Sequence, residues 1–169
     1  DSSVLLFLIN RVYVQDYMYF VDLFCGIGGF HAALHRLGHE CVFATDIDEN
    51  AAAVYESNWG KPQGCSVNCD IREVINKIPK MDIICAGFPC QPFSKSGSQK
   101  GFTDQTRGTL FHDICTLAEM HKPAVIFLEN VPNLVKHDGG NTFSVIQSRL
   151  TEIGYDHEYA ILSPHKFGI

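Results

Sequence analysis

Tyr19-Phe20-Val21-Asp22-Leu23-Phe24-Cys25-Gly26-Ile27-Gly28-Gly29-Phe30 begins as a β-prone apolar run and ends among glycines. Beyond it Phe30, Ala33, Leu34 and Leu37 recur at i, i+3, i+4 and i+7 before Gly38, the spacing of one helix face with a glycine stop. The order is therefore strand, glycine turn, helix. Cys41–Ala44 reads as a second strand, and Asp48 with Glu49 can cap a helix whose apolar side holds Ala51, Ala52, Tyr55 and Trp59. Met81–Ala86 and Ala124–Leu128 read as buried strands. Leu110, Phe111, Ile114, Leu117 and Ala118 mark one amphipathic helix, and Phe143, Ile146, Leu150 and Ile153 another. This alternation predicts an α/β fold with a doubly wound, mostly parallel sheet. Ligands of such sheets sit beyond the carboxyl ends of the strands, so Phe24–Gly29, Asp46, Asp70, Gly87–Gln91 and Glu129 are expected on one rim. Residues 1–18 show no clear period and read as an N-terminal extension ahead of one domain over 19–169.

Of the 169 residues 46% are hydrophobic and 19% charged, a balance that gives a folded globular domain rather than a disordered or fibrous chain. The net charge of −6 offers no global attraction to a polyanion, so a nucleic-acid partner requires a local basic patch. Val4–Ile9 is too short to span a bilayer and has no basic segment before it, which predicts no membrane and an intracellular site, cytoplasm or nucleoid. Seven cysteines without a CxxC pair predict reduced thiols. His31, His35 and His39, at i, i+4 and i+8, read as solvent-facing histidines beside the apolar stripe, and no metal is expected.

Gly26, Gly28 and Gly29 let the backbone approach a ligand and leave N–H groups free for an anionic one. Asp46, twenty positions after Gly26, can accept hydrogen bonds from ribose hydroxyls or cap a helix. A dinucleotide fingerprint would need its third glycine where His31 stands. An amino-acid carboxylate lying over Gly28 and Gly29 suits S-adenosylmethionine better. In Gly87-Phe88-Pro89-Cys90-Gln91-Pro92-Phe93-Ser94, two prolines stiffen the turn after a buried strand and hold Cys90 at the rim. Glu129-Asn130-Val131-Pro132, after the next strand, brings a carboxyl group to the same rim.

These segments together resemble the cytosine-C5 DNA methyltransferase family over roughly Phe20 to Gly168. The resemblance implies the Rossmann-like fold of S-adenosylmethionine-dependent methyltransferases, here incomplete at its C-terminal end. It implies a cofactor loop with Phe24, Gly26, Gly28 and Gly29, a ribose acid at Asp46, and adenine contacts at Ile47, Asp70, Ile71 and Leu110, with Pro89 beside them. Cys90 takes the nucleophile position and Glu129 that of the acid. Gln91, Ser94, Lys95, Ser96, Lys100 and Arg107 fall in the loop that closes over DNA in this family.

The implied reaction explains the residue types. Carbon 5 of cytosine is a poor nucleophile until a thiolate adds at carbon 6, and that addition is eased by a proton delivered to the ring nitrogen. The base must first leave the duplex. The expected partner is double-stranded DNA, in a restriction-modification setting, although a tRNA-methylating branch shares the same core. The family continues beyond Phe167-Gly168-Ile169 into a basic segment, a recognition domain and final fold elements. Residues 1–169 are therefore expected to act as a catalytic half, the recognition half coming from further chain or from a second polypeptide.

Overall fold

The computed structural model describes residues 3–9, 16–89 and 109–168. Its six strands are β1 (Ser3–Ile9), β2 (Tyr19–Leu23), β3 (Glu40–Thr45), β4 (Ile83–Ala86), β5 (Val125–Asn130) and β6 (Asp156–Leu162). The helices are α1 (Gly29–Arg36), α2 (Glu49–Trp59), the single turn α3 (Ile71–Val74), α4 (Leu110–His121) and α5 (Asn141–Glu152). The strands form one sheet in the order β3-β2-β4-β5-β1-β6. From β3 to β5 every pairing is parallel. The fold is thus the α/β, mostly parallel, doubly wound architecture that the alternation predicts.

Neighbouring residues of one strand face opposite layers, as the pleat requires. Val21, Ile84, Ala86, Ile126 and Leu128 point into a core shared with Phe111, Ile114 and Leu117 of α4 and Phe143, Ile146 and Leu150 of α5. Phe20, Ile83, Cys85 and Val125 point the other way, onto Leu34 and Phe30 of α1. Chain order runs outward from β2 to β3 on one side and to β4 on the other. The crevice between β2 and β4, at their carboxyl ends, is the switch point where such sheets bind ligands.

Two elements depart from the sequence expectation. Residues 1–18, expected as an extension, contribute β1, which lies inside the sheet between β5 and β6 and antiparallel to both. Val4, Leu6 and Leu8 are fully buried. A six-residue apolar run carries no alternation to announce which neighbours it will take, and its partners come more than a hundred residues later. The second is β6, whose Asp156-His157-Glu158-Tyr159-Ala160-Ile161-Leu162 is an edge strand with mostly exposed side chains and a composition too polar to stand out.

Candidate functional site

At the carboxyl end of β2 the chain turns through Phe24–Gly28 with Phe24, Gly26 and Gly28 all at positive φ, and α1 begins at Gly29. The loop is tied to β3. Cys25 N–H donates to the Thr45 carbonyl at 3.1 Å, and Gly26 N–H donates to Asp46 Oδ2 at 2.7 Å. Asp46 also accepts the Asp48 N–H through Oδ1 at 2.9 Å. It therefore does not cap α2. That role falls to Asp48, whose Oδ1 accepts the Asn50 and Ala51 N–H groups. An ionised carboxylate offers about four acceptor positions. Two remain on Asp46 for a ligand.

The three glycines serve different ends. A β-carbon on Gly28 would run into the Trp59 indole and lie 3.1 Å from Tyr55, at φ +92. Gly28 therefore lets α2 pack under the loop. Gly26 and Gly29 have open space where a β-carbon would stand. Gly28→Ala is expected to cost roughly 2–4 kcal/mol, the sum of a left-handed backbone penalty and an overpacked contact, whereas Gly26→Ala costs only about 1–2 kcal/mol. Urea midpoints of the two variants measure the difference.

Trp59 is itself held by a 3.3 Å bond from its indole N–H to the Ile27 carbonyl and by stacking on His31, ring centroids 4.5 Å apart. His31 is buried, with Nδ1 2.6 Å from the Tyr55 hydroxyl, and burial pushes its imidazole down to about 4. The expectation of three solvent-facing histidines thus fails at His31. Its position on α1 turns it towards α2, a neighbour that a single-helix pattern does not reveal.

Two cavities flank the turn after β4. One, of about 310 Å3, is lined by Phe24, Asp46, Ile47, Asp70, Ile71, Pro89 and Leu110, with Thr45, Cys69, Arg72 and Gly87 completing the wall. Seven of the ten expected cofactor residues meet there, and Gly26, Gly28 and Gly29 stand outside it. Ile47 is 72% exposed, an apolar side chain free to lie against a ring, while Ile71 is buried. Asp70 is occupied differently. It caps α3 through the Arg72 N–H and also holds the Arg72 guanidinium, which keeps its carboxyl below the usual range.

The second cavity, of about 460 Å3, is lined by Glu129, Gly87, Phe24, Cys25, Gly29 and Phe30, and by Ser3 and Leu5 of β1 with Leu162 of β6. Leu5 stands directly across from Glu129 in the β1–β5 ladder, which sets these two side chains on one face. The turn between the cavities is pinned by Asn130, buried at the end of β5. Its Nδ2 donates to the Phe88 carbonyl at 2.6 Å, and its Oδ1 accepts the Val131 N–H at 2.9 Å. The Glu129-Asn130-Val131-Pro132 motif by itself assigns Asn130 no task. Only the spatial neighbour Phe88 reveals one. Cys90, Gln91, Ser94, Lys95, Ser96, Lys100 and Arg107 lie outside the described residues.

The profile of the family described as C-5 cytosine-specific DNA methylase matches residues 18–169, nearly the whole chain. The chain belongs to the C-5 cytosine-specific DNA methylases. Among members of this methylase family, the type II methyltransferase M.HhaI of Haemophilus parahaemolyticus is 49% identical over 152 residues, which are 89% of this chain and 45% of that protein. M.MspI of a Moraxella species is 45% identical over 93% of this chain and 37% of its own length. Among solved structures, the S. pombe Dnmt2 methyltransferase superposes with a TM-score of 0.65 at 26% identity, covering 90% of this chain and 47% of that one. The fold is therefore the Rossmann-like one of these methylases. The chain spans about half the length, or less, of the relatives it matches. The match to the family profile begins at residue 18, so β1 lies outside it.

Proposed function

We propose that this chain is the catalytic part of a DNA (cytosine-5-)-methyltransferase that uses S-adenosylmethionine, in a restriction-modification setting. One observation carries the reading. Two cavities adjoin at Phe24 and Gly87, one framed by the acid and apolar side chains suited to a nucleoside, the other holding Glu129.

The donor set fits the cofactor. Asp46 keeps two acceptor positions for ribose hydroxyls, Ile47 offers an exposed apolar surface to adenine, and Leu110 and Pro89 line the same cavity. When bound there, S-adenosylmethionine would supply an electrophilic methyl group, with its sulfonium sulfur as the leaving group that would retain the bonding electron pair. Cys90 adds as a thiolate to carbon 6 of the extruded cytosine while Glu129 gives a proton to the ring nitrogen. The electron pair thereby placed at carbon 5 forms the new carbon–methyl bond. Loss of the carbon 5 proton then expels Cys90, restores the carbon 5–carbon 6 double bond and returns the ring proton. Gln91, Ser94, Lys95, Ser96, Lys100 and Arg107 belong to the segment proposed to close over the DNA, and their cations supply the local charge that the balance of −6 withholds. The target-recognition contacts come from a further part of the enzyme or from a second polypeptide.

Calorimetry on the chain tests the cofactor half of the reading. Removing a charged acceptor costs about 1.5–3 kcal/mol, so Asp46→Ala is expected to weaken S-adenosylmethionine binding by roughly 10–100-fold. Affinity unchanged in Asp46→Ala would move the cofactor elsewhere. Labelled methyl transfer to duplex DNA and to tRNA by the complete enzyme tests the other half, and label appearing in tRNA alone would replace the DNA reading.

A further inference from the structure

Resting on the reading above, we propose that Gly87 is the opening through which the methyl group passes, its missing side chain being what joins the donor cavity to the acceptor cavity. Phe24 and Gly87 are the two residues common to both linings. Gly87 N–H donates to the Leu23 carbonyl at 3.3 Å, which fixes the turn beside the glycine loop, and Asn130 holds the next residue, Phe88, from the other side. A β-carbon built on Gly87 would lie 3.5 Å from Glu129 Oε2 and 3.8 Å from the Phe24 carbonyl oxygen. It would therefore stand between the acid of one cavity and the shared wall of the other.

Those distances are ordinary van der Waals contacts, and the Gly87 backbone is not in the left-handed region. Neither conformation nor packing of the described residues demands a glycine here. The requirement is empty space. A donor carbon and an acceptor carbon must approach to about 3–3.5 Å in line, and a displacement near 1 Å can lower the rate by about 10²-fold. A methyl group on residue 87 lies in that path.

The test separates cysteine addition from methyl transfer. With no methyl donor, addition of Cys90 leaves an electron pair at carbon 5 that takes a proton from water. Loss of the original carbon 5 hydrogen and expulsion of the thiolate complete an exchange that releases tritium from 5-tritiated cytosine. This step needs the acceptor cavity alone. In the complete enzyme, Gly87→Ala is expected to keep donor-free tritium release within about threefold of the parent and to lower labelled methyl transfer by roughly 10²-fold. Gly87→Ser is expected to lower transfer further, and binding of S-adenosylmethionine and of duplex DNA should stay close to parental. Parental transfer rates in both variants would overturn the proposal, as would equal losses of exchange and transfer, which would make Gly87 a support of Glu129. Failure of both variants to fold would make it a packing position and overturn the proposal too. A parent enzyme that shows neither exchange nor transfer would instead remove the reading of Cys90 and Glu129.

Discussion

Cys90→Ala in the complete enzyme is expected to abolish the covalent complex with DNA carrying 5-fluorocytosine at the target position, and with it all methyl transfer. Fluorine at carbon 5 cannot leave as a proton, so the methylated adduct stays on the thiol that made it. Mass spectrometry should map that adduct to Cys90. Two of the other cysteines are poor nucleophiles. Cys85 and Cys115 are buried, and burial pushes their thiols up, that of Cys115 to about 12. A thiol held protonated and shielded does not add to a ring. Glu129→Gln keeps the shape of the acceptor cavity and removes the proton donor, so its rate is expected to fall by about 10²–10⁴-fold. An adduct on Cys85 or Cys115, or a Glu129→Gln rate within threefold of the parent, would take the corresponding residue out of the reaction.

The second large effect belongs to Asp22, fully buried in β2 beneath the glycine turn. Its Oδ2 accepts the His31 N–H at 3.2 Å and its Oδ1 finds no partner among the described residues. Burial, with the Asp46 charge adding to it against the His31 bond, pushes its carboxyl up to about 8. In the unfolded chain the same carboxyl titrates near its ordinary value of 3.8. Between those pH values the folded state holds the extra proton, so raising the pH through the window costs stability, and above the upper value the loss stops growing. His31 acts oppositely but lower. Held down to about 4 by burial, it contributes stability that is present above its unfolded value of 6.5 and lost as the pH falls towards 4. From pH 6.5 to 8 the Asp22 slope is therefore left uncovered. There the urea midpoint should fall with pH by the equivalent of about 1 kcal/mol per unit, and Asp22→Asn should lose this component of the slope whatever its absolute stability. Equal slopes in parent and variant would show that Asp22 is ionised in the fold.

The parts of the molecule legible from sequence were those whose signal is local. The run Tyr19–Leu23 followed by glycines and a 3.6-residue period could hardly be anything but strand, turn and helix, and the rim residues Asp46, Asp70 and Pro89 do line one cavity with Phe24, together with Ile47, Ile71 and Leu110, which the family resemblance added. What escaped depended on distant partners. Gly28 is a glycine because of Trp59, thirty-one positions on, and His31 is buried because Tyr55 and Trp59 come down on it. Asp46 binds the loop it was expected to complement, a bond invisible until β2 and β3 lie side by side. Asn130 joins two motifs that sequence could only set next to each other. β1 has no period, and its neighbours in the sheet, β5 and β6, lie more than a hundred residues further along the chain.

That last circumstance bears on how the chain acquires its shape. Val4, Leu6 and Leu8 precede the positions facing them, Leu128 for Leu6 and Ile126 for Leu8, and then the β6 ladder, by more than a hundred residues of chain. The sheet is consequently closed by a pairing of distant segments, and closing so long a loop is the kind of non-local pairing that slows folding. Until then an apolar segment and two unpaired strand edges stay available to other chains, the circumstance under which intermediates aggregate. Speed of refolding and yield at high concentration are therefore set by β1, far in sequence from the residues proposed to carry out the chemistry.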